Sequence, residues 1–225
     1  MNKIIIDREE FAIDNFSGEM EINVNKLELT IKGHVSLKEW IKESRNLDLI
    51  VNIEDNAVLE YNRFGIIKDN NTKIVINQNN NSRLNFKESF IVNSDTNLKI
   101  ENNILGNNNI SEVVVRLTSR NESKVVVDAT LDVQKDTIDN ELKEDLRGLE
   151  TDNSKITIIP NMLVSSSEVI ANHNVTIGNV SDEDLFYLTS KGLSKDEARK
   201  LLETGFLISI FEDNDYKTKI KEIIK

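Results

Sequence analysis

The chain has 225 residues, a hydrophobic content of 38% and a formal net charge of −11, so it can bury the core of one large or two small domains. This acidic balance, without a basic cluster, argues against nucleic acid and anionic membranes as partners, because both are bound through Lys and Arg surfaces. The lack of cysteine excludes disulfides, thiolate nucleophiles and Cys-ligated zinc or iron–sulfur sites within these residues.

The N-terminal sequence, MNKIIIDREEF, is too short and too charged to resemble a signal peptide. No apolar run approaches the roughly 18 residues that a membrane-spanning helix needs. We therefore expect a cytoplasmic protein.

Short runs with β character dominate residues 1–180. Many alternate apolar with polar side chains, which gives one face to a core and the other to water. The runs are residues 20–24, 27–31, 49–53, 57–61, 73–77, 84–86, 98–100, 113–117, 125–133 and 156–159.

The turns between these runs are rich in asparagine, although the chain has one proline and eight glycines. Asparagine tolerates the left-handed backbone conformation that tight corners require. Five of the runs recur at intervals of roughly 22 to 27 residues, a spacing that suits stacked coils. This pattern favours a β-solenoid, although a biased nucleotide composition would equally explain the asparagine content.

Two segments depart from the β pattern. Residues 36–43 place Leu37, Trp40 and Ile41 at the spacing of a short amphipathic helix. Residues 136–147 are highly charged, and their pattern indicates either a helix or a surface crossover between β elements.

The stretch from Val175 to Phe206 carries two helix starts and two helix stops. Ser181 is a good N-cap and is followed by three acidic residues at the positive end of the helix dipole, and Gly192 suits the position after the helix.

The second helix of this stretch has the stronger start. Ser194 and Glu197 have the spacing of a capping box, and Gly205 is predicted to end the helix. Residues 216–225 then indicate a last amphipathic helix with basic residues near its C-terminus.

The order of residues in this stretch, VTIGNVSDEDLFYLTSKGLSKDEARKLLETGF, resembles the C-terminal signature of the SufB/SufD family of iron–sulfur cluster assembly subunits. Residues 124–178 resemble the family more loosely, and the segment before about residue 110 carries no motif. The resemblance implies a mainly β protein, with a right-handed parallel β-helix over residues 1–180 and a small α-helical C-terminal domain over residues 181–225.

No phosphate loop, G-x-S-x-G or H-E-x-x-H motif is present, so we expect no enzymatic activity. Of the two histidines, His34 follows a glycine and indicates a turn residue. His173 occupies the position of a family histidine in the segment ANHNVTIG, where the usual cysteine and glycine are Ala171 and Asn174. The resemblance makes His173 a candidate metal ligand or proton relay at a cluster-assembly site, and a histidine bonded at a strand end is the alternative.

The resemblance also implies docking of a SufC-like ABC ATPase through apolar residues of the helical stretch. These are Leu185, Phe186, Tyr187, Leu188, Leu193, Ala198, Leu201, Leu202 and Phe206. The same side chains could instead cap the end of the β domain, and the two interpretations are compatible.

The resemblance therefore implies a non-catalytic subunit of a SUF-type assembly complex, closer in role to SufD than to SufB because the chain lacks cysteine. Its implied partners are the ATPase and either a SufB-like subunit or a second copy of itself. No cofactor is expected to bind stably, a cluster would form transiently at a subunit interface, and ATP would act only through the partner. The alternatives are a structural β-helix protein that kept the docking helices, and a β-helical carbohydrate-active enzyme. The enzyme is disfavoured by an aromatic content of 5%.

Overall fold

The computed structural model describes residues 2–41, 46–68 and 71–224. Within them the chain forms thirteen β-strands followed by three α-helices. The strands are β1 (Asn2–Ile6), β2 (Glu10–Ile22), β3 (Lys26–Ile41), β4 (Leu47–Ile53), β5 (Val58–Ile67), β6 (Asn71–Gln78), β7 (Arg83–Val92), β8 (Thr96–Ile104), β9 (Ile110–Ser119), β10 (Lys124–Val133), β11 (Asn140–Glu150), β12 (Lys155–Val164) and β13 (Val169–Asn179). The helices are α1 (Asp182–Ser190), α2 (Lys195–Ile208) and α3 (Asn214–Ile224).

Pairing between the described strands is parallel and sorts them into two faces. Face A contains the first half of β3 with β4, β6, β8, β10 and β12. Face B contains the second half of β3 with β5, β7, β9, β11 and β13. Strand β2 also bends across both faces, and β1 pairs with its second half. The chain thus passes from face A to face B once per coil, which confirms the parallel β-helix.

The coils lengthen along the chain. Phe11 pairs with Leu29, 18 residues further on, whereas Ala129 pairs with Pro160, 31 residues further on. The five recurring runs of the sequence lie on neighbouring strands of face A, so that recurrence is confirmed. The period is loose because the number of residues per coil changes along the chain, from 18 between Phe11 and Leu29 to 31 between Ala129 and Pro160.

Asparagine has a structural role at the corner between the two faces. Asn56, Asn81 and Asn108 occupy this corner in successive coils with φ of 62°, 55° and 56°, in the left-handed region. Beside them, the side-chain oxygen of Asn80 accepts a hydrogen bond of 3.0 Å from the backbone N–H of Asn107 in the next coil. Asparagine therefore both adopts the corner conformation and forms hydrogen bonds between successive coils.

The interior of the β-helix, here called the bore, is apolar along most of its length but contains one buried ionic cluster. Arg63 is 1% exposed, and its Nε and Nη1 atoms lie 2.7 Å from carboxylate oxygens of Glu39 and Glu88. Tyr61 donates its hydroxyl hydrogen to Glu39. The register pairs Arg63 directly with Glu39 on one side and Glu88 on the other, so the cluster is a column through three coils.

Two local predictions are wrong. Residues 36–41 belong to β3 instead of a helix, and residues 42 and 43 lie outside the described residues. The side chains alternate with a period of two, since Leu37 and Glu39 point into the bore and Trp40 points out. The apolar alternation was not recognised because Glu39, a charged residue type, occupies an inward position. Residues 140–147 belong to β11, again a strand with a charged residue, Glu144, at an inward position.

The C-terminal helices follow the predicted signals with one exception. Ser181 caps α1, Gly192 has a φ of 101°, and Ser194 and Glu197 form both halves of a capping box. The prediction that Gly205 ends the second helix is wrong, because α2 continues to Ile208. The last helix is confirmed as α3.

Helices α2 and α3 fold back along the outside of face B. Leu207, Phe211 and Tyr216 form a second buried apolar cluster with Phe64 and Ile91 of the sheet. Helices α2 and α3 therefore lie beside the coils. The boundary between residues 1–180 and 181–225 as separate domains stays a prediction. None of the described helices is both long enough and apolar enough to span a membrane.

Candidate functional site

His173 lies in the bore at the last coil. It stands on β13 between Ala171 and Val175, and both of these pack against apolar clusters of the interior. Strand alternation therefore directs the imidazole inward as well. The side chain of His173 is 20% exposed, because only one coil edge covers it.

Glu144 is a polar neighbour of His173 on the adjacent strand. It is the direct register partner on β11, and its Oε2 atom lies 2.9 Å from Nδ1 of the imidazole. The contact lacks hydrogen-bond geometry, and Oε2 and both ring nitrogens are buried without a hydrogen-bond partner. The two side chains are therefore in close contact without a hydrogen bond between them.

Burial determines the proton affinities of this pair. The Glu144 carboxyl is buried, which raises its pKa to about 7. Burial also lowers the pKa of His173 below its ordinary value of 6.5. Burial thus disfavours the charged form of each group, as expected for polar side chains in an apolar bore.

The last coil leaves the end of the bore open. No described strand pairs with the outer edges of β12 and β13. Met162, Val164 and Ile177 occupy inward positions by register, yet they are 36%, 40% and 40% exposed. An apolar end with unpaired strand edges is a surface that other strands can cover.

Near this open end, Oε2 of Glu144 and both ring nitrogens of His173 are buried polar atoms without a hydrogen-bond partner. A neutral imidazole is a suitable ligand for iron. Among the described residues, no group of three or more His, Cys, Asp or Glu side chains could hold a metal ion.

The predicted docking residues divide by exposure. Phe186, Tyr187 and Leu201 are 75%, 60% and 53% exposed. Leu185 and Ala198 are buried and position the helices instead. The remaining predicted residues, Leu188, Leu193, Leu202 and Phe206, are partly exposed.

An apolar groove adjoins the exposed Leu201. It lies between α2 and α3, has a volume of about 430 Å³ and is lined by Thr204, Gly205, Ile208 and Ile224. Glu197, Lys200 and Lys221 also line the groove. The groove therefore combines apolar side chains with charged side chains of both signs.

The two predicted sites, His173 and the docking residues of the helices, are close in sequence but do not form one pocket. Strand β13, which carries His173, ends at Asn179, and α1 begins at Asp182. His34 stands at a corner of β3, where its backbone N–H donates to the side-chain oxygen of Asn15, as a turn residue would.

Sequence reasoning missed Glu144. The residue lies 29 positions before His173, close to one coil length, and Leu142 and Leu146 flank it at period two. The spacing of one coil length and the alternation with Leu142 and Leu146 would have predicted Glu144 beside His173, if residues 140–147 had been predicted as a strand.

The fold and this site define a parallel β-helical protein with an open apolar end, a histidine in its bore and an exposed aromatic pair on its C-terminal helices. Comparison with known families agrees with that description. The model for "SUF system FeS cluster assembly, SufBD core domain" matches residues 31–206. The chain belongs to this family.

Individual relatives match shorter segments. The chain is 28% identical over 130 residues to an iron–sulfur cluster assembly SufBD family protein of Methanothermobacter thermautotrophicus (strain Winter), which covers 56% of this chain and 31% of that protein. It is 32% identical over 79 residues to a SufBD family protein of Pyrococcus horikoshii, 34% of this chain and 18% of that protein. It is 31% identical over 65 residues to the assembly protein SufD of Bacillus subtilis, 29% of this chain and 15% of that protein. The matches thus span less than a third of the length of these relatives.

Proposed function

We propose that this protein is a non-catalytic subunit of an iron–sulfur cluster assembly complex in the cytoplasm. Membership of the SufBD core family supports the assembly role. The observation that carries the proposal is the open end of the bore, where the orphaned ring nitrogens of His173 lie beside exposed apolar residues.

The open end is the proposed contact with another β-helical subunit, either a SufB-like protein or a second copy. The partner would pair with the edges of β12 and β13 and cover Met162 and Val164. Iron or a nascent cluster is the cargo at this interface. Since this chain has no cysteine, the partner would supply any thiolate.

The second proposed contact is a SufC-like ABC ATPase on the C-terminal helices. Phe186 and Tyr187 are large, adjacent and exposed, and aromatic side chains are enriched among the residues that dominate binding energy at interfaces. ATP is bound and hydrolysed by the partner, and this chain receives the resulting movement through α1 and α2.

The docking proposal is tested by calorimetric titration of the ATPase from the same organism into the full chain and its variants. We expect Phe186→Ala or Tyr187→Ala to cost about 2 kcal/mol or more, which is roughly a thirtyfold weaker Kd. Ile5→Ala is the matched control, because Ile5 is 55% exposed at the opposite end of the coils. Unchanged binding by Phe186→Ala, Tyr187→Ala and Leu201→Ala would refute the docking site.

The assembly role needs a separate test. In cells whose own SufD-like subunit is deleted, the full chain should restore maturation of an iron–sulfur enzyme, and His173→Ala should not. The structural alternative, a protein that kept the docking helices without the cluster chemistry, predicts ATPase binding but no difference between the wild type and His173→Ala. Membership of the SufBD core family gives the carbohydrate-active alternative no support.

A further inference from the structure

A small cavity adjoins the buried ionic cluster of the early coils. It has a volume of about 10 Å³, and its polar lining consists of Arg63, Thr72, Glu88, Thr96 and Asn97. The rest of its lining is apolar. One water molecule requires a cavity of roughly 10–15 Å³, so this cavity can hold one water and nothing larger.

The carboxyl group of Glu88 has one oxygen without a partner. Its Oε1 atom accepts a hydrogen bond of 2.7 Å from Nη1 of Arg63, but Oε2 is buried and has no hydrogen-bond partner among the described residues. The whole residue is 2% exposed. Such an atom is unfavourable, because it has lost its hydration and gained no bond in exchange. Buried polar atoms of native proteins are therefore nearly always bonded, either to protein or to ordered water.

A water molecule suits this position better than a cation does. Burial raises the pKa of Glu88 above its ordinary value of 4.5, and a water can donate to the ionised carboxylate or accept from the protonated carboxyl. A cation would require the ionised form, and the guanidinium of Arg63, bonded to the same carboxyl group, would repel it.

A second polar contact for the water is provided by Thr96. Its hydroxyl donates to the backbone carbonyl of Ser94 at 3.2 Å, which leaves the hydroxyl oxygen able to accept a further hydrogen bond. Thr96 lines the same cavity as Glu88, and a buried water typically needs two to four polar partners.

We propose that this cavity binds one ordered water molecule, which bonds Oε2 of Glu88 and the hydroxyl oxygen of Thr96. Glu88 belongs to β7 on face B and Thr96 to β8 on face A, so the water joins the two faces from inside the bore. It also completes the hydrogen bonds of the carboxyl group at one end of the buried ionic cluster.

The proposal is tested by an X-ray crystal structure of the full chain at a resolution that shows ordered water, and by oxygen-17 magnetic relaxation dispersion in solution. The crystal structure should show one density peak in the cavity, about 2.6–3.2 Å from Oε2 of Glu88. The relaxation measurement counts water molecules that stay bound for longer than the protein takes to tumble. Thr96→Val removes the hydroxyl at nearly constant volume, and it should remove the density peak and one long-lived water.

Two further variants make the test specific to the Thr96 hydroxyl. Thr137→Val is the matched control, because Thr137 is 5% exposed, donates its hydroxyl to the backbone carbonyl of Gln134 at 2.9 Å and does not line the cavity. Thr96→Ser keeps the hydroxyl at the cavity. Both variants should retain the water, and thermal unfolding scans show whether each variant is folded.

An empty cavity in the wild-type crystal structure would overturn the proposal. So would a peak that acquires anomalous scattering after a thallium(I) soak, because the site would then bind a monovalent cation. Retention of the water by folded Thr96→Val, or its equal loss in Thr137→Val, would refute the bond to Thr96. If Thr96→Val does not fold, the density in the wild type and in Thr96→Ser decides the question.

Discussion

Removing Arg63 should destabilise the β-helix strongly, because the substitution leaves two carboxyl groups in the bore without their cation. Arg63 is fully buried and bonds both Glu39 and Glu88 at 2.7 Å. Breaking a buried ionic network by removing one partner costs about 3–5 kcal/mol. For a chain of this size each kcal/mol corresponds to about 2–4 °C, so Arg63→Met should lower Tm by roughly 6–20 °C. Far-UV circular dichroism during urea and thermal unfolding measures both quantities.

Two comparisons make this prediction specific. Arg147→Met removes a guanidinium that is 48% exposed and paired with Asp145, and it should cost at most about 1 kcal/mol. The triple variant Arg63→Met, Glu39→Gln, Glu88→Gln should recover a large part of the loss, because it removes the buried charges together. If Arg63→Met costs no more than Arg147→Met, the ionic column does not stabilise the coils and the reasoning is refuted.

Two further predictions concern residues with unusual environments. Burial raises the pKa of Glu88 above its ordinary value of 4.5, so the folded state holds this proton more tightly than the unfolded state does. The protonated Glu88 carboxyl therefore stabilises the folded state fully below pH 4.5, and this stabilisation is lost as the pH rises through the pKa of the folded state. Glu88→Gln should flatten this part of the curve of unfolding free energy against pH. An unchanged slope would contradict the prediction. Asn81→Ala places alanine, whose side chain cannot form a hydrogen bond, at a φ of 55° in the left-handed region. This substitution should lower the free energy of unfolding in urea by about 1–2 kcal/mol, whereas Asn81→Gly should lower it less. Equal losses for the two variants would show that backbone conformation is not the cause.

The parts of the fold that sequence predicted are those with a single dominant signal. The alternation in residues 27–31 and 73–77 places apolar side chains on one side, and these segments do lie on face A. The caps at Ser181 and Ser194 depend on local hydrogen bonds within three residues, so short-range reasoning was sufficient.

The misread segments share a different physical feature. Glu39 and Glu144 are charged residues at inward positions, and each breaks the apolar alternation of its strand. The burial of each residue is explained by a partner on the neighbouring coil. The partner of Glu39 is Arg63, 24 residues away, and the partner of Glu144 is His173, 29 residues away. Sequence resemblance identified His173, but only the register between β11 and β13 identifies the carboxylate next to it.

The return of α3 to the first coils changes how this solenoid should come apart. Stacked-repeat proteins usually contact only neighbouring repeats, so their ends fray independently. Here the Tyr216 hydroxyl donates to the backbone carbonyl of Glu39, 177 positions earlier, and Lys219 forms an ion pair with Glu19. Opening β2 or β3 must therefore also release the C-terminal helix. Hydrogen exchange should accordingly show the early strands and α3 opening as one cooperative unit, although they lie at opposite ends of the chain.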